Sequence, residues 1–146
     1  MDLKLPLTKE DIMKILPHRS PFLFVDSVLE LVPDKSIVGL KKFEGNEFFQ
    51  GATPGSRSPV PTSILIEAVA QVGAILILSK EENAGKFIYF MGIDKIHIRR
   101  PIYAGEEIRI EAVVAKLRQR IGMLSGKAII NNEIVARGKM KYALRE

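Results

Sequence analysis

Glu67 and Gln71 are the only polar side chains between residues 64 and 78. Four residues apart, they share one face of a helix, one turn from each other. Gln71 can then donate a hydrogen bond to the Glu67 carboxylate. An isolated carboxylate in apolar surroundings costs several kcal/mol or keeps its proton. A group of that kind beside a cavity is a general acid or base. A structural glutamate, satisfied by an arginine or by backbone N–H groups, is the other reading, and the residues leave both open. The start of a helix also favours the charged carboxylate and pulls against burial. Histidine occurs twice, at His18 and His97, and cysteine not at all. That excludes disulfides, thiolate metal sites and a cysteine nucleophile, and two distant histidines do not make a zinc site. No metal and no cofactor is expected. His97 alternates with Ile96 and Ile98 and so points away from the apolar face, toward the surface.

The elements that must carry this pair can be read from pattern. Thr8 followed by Asp11 is a capping box for a short helix that Pro17 ends. Residues 22–30 and 36–43 read as strands separated by a Pro33-Asp34 turn. A loop dense in Gly, Pro and Ser spans residues 50–61. One long helix follows at about 62–79, capped by Thr62 or Ser63 and apolar on every side, hence enclosed. Residues 87–91, 95–99, 107–115, 123–130 and 134–142 then read as five more strands, with Gly92, Pro101, Gly105, Gly122 and Asn131-Asn132 as turns. Strands this closely spaced pair antiparallel, and only the central helix is apolar enough to cover their sheet. The expectation is an α+β fold with a seven-stranded antiparallel sheet wrapped around one helix, one domain over residues 1–146.

The chain has 146 residues, 47% of them apolar and 27% charged, which is the composition of a folded globular protein. The start of the chain has no signal-peptide pattern, and its longest apolar run is too short and too polar to span a bilayer. A cytoplasmic location is expected. The net charge is +5, and residues 94–141 alone carry +6. Lys95, Arg99, Arg100, Arg118, Arg120, Lys139 and Lys141 belong to this stretch. It is either a solvated strand face or a surface that steers an anionic partner. No recognition motif or aromatic run accompanies it, so a nucleic acid is not expected.

Several short motifs together are specific. Leu16-Pro17-His18-Arg19-Ser20-Pro21-Phe22-Leu23-Phe24-Val25-Asp26, Phe49-Gln50-Gly51, Leu65-Ile66-Glu67-Ala68-Val69-Ala70-Gln71, Phe90-Met91-Gly92-Ile93-Asp94-Lys95 and Arg99-Arg100-Pro101 occur in this order. In these the chain resembles the (3R)-hydroxyacyl-[acyl-carrier-protein] dehydratases of bacterial fatty-acid synthesis, the FabZ type, over nearly its whole length. The resemblance implies the hotdog fold and a homodimer, or a multiple of dimers, with active sites across the interface. It implies that Glu67 is the catalytic carboxylate, Gln71 its hydrogen-bonding neighbour, and the Thr62 backbone N–H the group that polarises the thioester carbonyl. Gly55, Val60 and Pro61 fall in the substrate loop, and Lys95, Arg99 and Arg100 on the side of an acyl carrier protein or coenzyme A. His18 belongs to the opening motif, where it reads as structural.

The family loop reads GHFPG, and here the sequence is Gly51-Ala52-Thr53-Pro54-Gly55. Ala52 stands where the resemblance places a catalytic His. Dehydration needs a base for the proton beside the carbonyl and an acid for the departing hydroxyl, and alanine is neither. The expectation is an acyl-thioester-binding protein whose dehydratase chemistry is impaired or depends on a His-bearing partner in a heterodimer. A thioesterase using Glu67 as nucleophile or base, a homodimer that still dehydrates, and a non-catalytic carrier-protein binder are the alternatives.

Overall fold

A computed structural model of the protein describes residues 3–49, 58–118 and 120–146. Helix α1 spans Lys9–Ile15. The Asp11 N–H donates to the Thr8 hydroxyl at 3.2 Å, and the Thr8 N–H donates back to the Asp11 carboxylate at 2.9 Å. Two donors that no helical carbonyl can reach are thereby satisfied. Strands β1 (Ser27–Val32) and β2 (Ser36–Lys42) form a hairpin, and α2 runs from Thr62 to Leu78. Strands β3 (Phe87–Ile98), β4 (Glu107–Arg118), β5 (Ile121–Ile130) and β6 (Glu133–Arg145) follow. All six strands make one antiparallel sheet in the order β1-β2-β4-β5-β6-β3, with α2 packed on its concave face.

Alternation explains which face is covered. Ile108, Ile110 and Ala112 of β4 and Leu124, Ala128 and Ile130 of β5 point inward and are buried. From Ala70 to Leu78 every residue of α2 is buried. Burying one such leucine or isoleucine contributes about 1.5–3 kcal/mol, which is what holds a helix this apolar under a sheet. The approach is close at glycines. A Cβ on Gly126 would lie 2.5 Å from Val69 Cγ1, and one on Gly39 would lie 2.9 Å from Val72 Cγ2. Side chains at either strand position would push α2 off the sheet.

Four expectations change. Among the described residues the sheet has six strands, because residues 87–98 form a single strand that passes through Gly92. Register shifts between Phe90 and Gly92 and between Asp94 and His97 let β3 follow β6 despite the irregular residues. Gly122 likewise lies inside β5, where its missing Cβ makes room for Tyr142. Residues 22–26 are not a strand, because Gln71 takes the backbone groups that a neighbouring strand would need. Pro61 rather than Thr62 or Ser63 is the N-cap of α2, with no side-chain cap; its carbonyl accepts the Ile64 N–H at 3.0 Å.

Candidate functional site

Gln71 is 1% exposed and makes three hydrogen bonds. Its carbonyl accepts the Phe24 N–H at 2.7 Å, and its amide donates to the Phe22 carbonyl at 2.8 Å and to Glu67 Oε1 at 3.0 Å. One side chain therefore ties residues 22–24 to α2 and holds the Glu67 carboxylate to the same face. Glu67 is not enclosed within the chain, as its side chain is 46% exposed. The sheet covers one side of the first turns, where Leu65 and Ala68 are buried, but not the other, where Thr62 and Ser63 are exposed and Ile64, Ile66 and Val69 half-buried.

The unexpected member of the site is His18. Its Nε2 lies 3.6 Å from Glu67 Oε1, and its Nδ1 is buried with no hydrogen-bond partner among the described residues. Its backbone is held by Arg19, whose guanidinium donates to the carbonyls of Met13, Leu16 and His18 at 2.8–2.9 Å. In the sequence His18 reads as a structural residue of the opening motif. The signal available was the Leu16–Asp26 motif itself, whose Phe22 and Phe24 are the residues Gln71 grips.

The remaining candidates are placed as follows. Thr62 is the first residue of α2, so its N–H belongs to the turn whose donors have no helical acceptor. Pro61 caps that turn, and Val60 is 6% exposed in the core, its N–H bonded to the Ile102 carbonyl at 2.7 Å. Ala52 and Gly55 lie outside the described residues. Lys95, with φ of 48°, is exposed on β3, and Arg99 is exposed directly after it. Arg100 is engaged within the chain, its guanidinium donating to the Glu106 carboxylate at 2.8 and 3.2 Å. That pairing raises the Arg100 pKa further above its usual value. His97 is exposed.

Beside the helix start, Leu65, Ile66 and Val69 face Ile96, Ile98 and Gly126 across an apolar slit of about 20 Å³. That holds one water at most. Phe22 and Phe48, both more than half exposed, pack with ring centres 5.1 Å apart and planes tilted by 58°.

The chain is similar over residues 16–139 to the FabA-like domain family. It is 44% identical over 139 residues to a 3-hydroxyacyl-[acyl-carrier-protein] dehydratase FabZ of Herpetosiphon aurantiacus, covering 94% of this chain and 98% of that protein. It is 45% identical over 135 residues to the FabZ dehydratase of Desulforamulus reducens, covering 91% and 94%. Among solved structures it resembles the dehydratase heterocomplex ApeI:P from Xenorhabdus doucetiae, with a TM-score of 0.77, 14% identity and coverage of 99% and 93%. That likeness bears on the fold, which is the hotdog arrangement of a sheet around a helix. With a carboxylate held at the start of that helix and curated relatives matched over nearly their whole length, the chain belongs to the 3-hydroxyacyl-[acyl-carrier-protein] dehydratase family of fatty-acid biosynthesis.

Proposed function

We propose that the protein binds 3-hydroxyacyl or enoyl thioesters of an acyl carrier and that its dehydration of them is weak alone and completed by a His-bearing partner. The observation that carries this is the Glu67 carboxylate, fixed through Oε1 by Gln71 at the start of α2. Its Oε2 has no partner among the described residues and is the oxygen available to a substrate. In this reading Glu67 protonates the departing hydroxyl, and the Thr62 N–H, at the positive end of α2, polarises the thioester carbonyl. Ala52, where the resemblance places a catalytic His, supplies no proton transfer, and losing a positioned acid or base costs about 10²–10⁴-fold.

The edge of the sheet supports an assembly of two chains. β3 is an outer strand, and Phe87, Tyr89, Met91 and Ile93 on it are each more than half exposed. A bare edge lined with apolar side chains pairs with another edge. A second copy would give a homodimer, and a paralogue with a histidine at the position of Ala52 would give one competent site per pair. The exposed Lys95 on the same strand and Arg99 just past its end, with Arg137, Lys139 and Lys141 on β6, suit the acidic surface of a carrier protein or the phosphates of coenzyme A.

Hydration of a short trans-2-enoyl thioester, followed for wild type and Ala52→His, tests the proposal. A gain of at least tenfold in the variant is expected, as is exchange of the wild-type dimer with a His-bearing paralogue. Equal rates in both proteins would overturn the reading of position 52. Release of free thiol from saturated acyl thioesters, lost in Glu67→Gln, would instead assign a thioesterase that needs only the open Glu67 Oε2.

A further inference from the structure

The loop outside the described residues is not the only place from which this chain can draw a second titratable group. Any elimination it performs unaided must take the proton beside the carbonyl and protonate the hydroxyl one carbon further on. If both leave from one face of the substrate, the two groups that handle them must stand close together on one side.

His18 and Glu67 stand that way. Nε2 is 3.6 Å from Oε1, both side chains reach solvent (31% and 46% exposed), and both are fixed from behind. Gln71 fixes the carboxylate and, through the Phe22 and Phe24 backbone, the segment that follows His18. Arg19 fixes the turn, and with its guanidinium on the Met13, Leu16 and His18 carbonyls it is not the partner of Glu67. The buried Nδ1 meets no acceptor or donor among the described residues, so no neighbour locks the imidazole hydrogen on one nitrogen. A histidine held structurally is normally bonded at the nitrogen it buries.

We propose that His18 is a catalytic residue of this chain, the base that works with Glu67 in whatever dehydration the protein performs without a partner. The inference rests on the thioester-binding reading above. His18 Nε2 takes the proton from C2 of the 3-hydroxyacyl thioester. The C2–H electron pair becomes the C2=C3 double bond and the C3–O bond breaks. The departing hydroxyl takes the proton of Glu67 Oε2 and leaves as water. The imidazolium Nε2–H then returns its proton to the adjacent carboxylate, which restores both groups.

The test uses the purified chain and a short trans-2-enoyl-coenzyme A, read in the hydration direction, with binding of the thioester measured separately. Wild type should turn over slowly, His18→Gln should lose about 10²–10⁴-fold in kcat with KM and melting temperature unchanged, and added imidazole should restore rate to His18→Ala. Retention of the rate within threefold in His18→Gln overturns the proposal. So does a loss that imidazole does not reverse, which makes His18 structural, and so does a wild type that binds the thioester without turning it over. Failure to bind the thioester at all counts against the family function itself and not against His18 alone.

Discussion

Replacing Gly126 by alanine tests the contact that seats α2, and with it Glu67, on the sheet. Glycine in a strand interior is unfavourable by roughly 0.5–1 kcal/mol relative to alanine, so an open site would be stabilised by the change. Here the added methyl would lie 2.5 Å from Val69 Cγ1. Valine in a helix has one strongly preferred rotamer and cannot swing aside cheaply. Overpacking of this kind costs about 1–3 kcal/mol. Gly126→Ala should therefore lower the stability by about 1–2 kcal/mol, equivalent to about 2–8 °C in melting temperature for a chain of this size. Val69→Ala, which removes two methyls from a half-buried site, should cost about 1 kcal/mol. In the double variant the new methyl fills the space the valine vacated. The double variant should thus be more stable than the sum of the two changes by at least about 1 kcal/mol, within the range seen for residues in contact. Urea denaturation of the four proteins at one concentration gives all the terms. A stabilised Gly126→Ala, or additive changes, would refute the close packing of helix on strand.

Tyr142 is fully buried, its hydroxyl has no partner among the described residues, and burial pushes its pKa up. Tyr142→Phe should leave stability unchanged or raise it by about 1 kcal/mol in the same urea titration, since a stranded polar group is removed. Asp11 accepts the N–H and hydroxyl of Thr8, which hold its carboxyl below the usual value of 3.8. A folded pKa below the unfolded one gives stability that is complete above the unfolded value and lost as pH falls through the folded one. The deficit of Asp11→Asn relative to wild type should accordingly be constant near neutral pH and shrink below about pH 4, as chemical melts across that range would show. Met91→Lys, on the exposed face of β3, should shift the protein toward monomer in size-exclusion chromatography with light scattering, and an unchanged mass would argue against pairing through that edge.

Much of the architecture was legible because it is written in local pattern. Thr8 and Asp11 announce α1, and the apolar run after Pro61 announces α2, which ends one residue before the expected boundary. What was not legible depends on partners far along the chain. Residues 22–26 have the side chains of a strand, yet Gln71, nearly fifty positions away, captures their backbone groups. Gly92 has the look of a turn, but β6 carries β3 through it with a bulge. Glu67 and Gln71 were found from their spacing, since an i, i+4 contact is local. His18 reaches Glu67 across 49 residues of sequence, and neither its neighbours nor its spacing announce that contact. An apolar sequence also implies an enclosed Glu67, yet the sheet covers only one side of the first turns of α2 and leaves that side chain 46% exposed.

The sheet order has a consequence for how the chain assembles as it is synthesised. β3 is made before β4, β5 and β6, but among the described residues its neighbour in the sheet is β6. Strand β4 can pair with β2, and β5 with β4, as soon as they appear, whereas β3 waits with both backbone edges bare and Phe87, Tyr89, Met91 and Ile93 in water. During that interval it is the segment most open to wrong pairing. Completion of the sheet is therefore out of sequence order, and the same strand that waits longest for its own chain ends as one of the sheet's two outer strands.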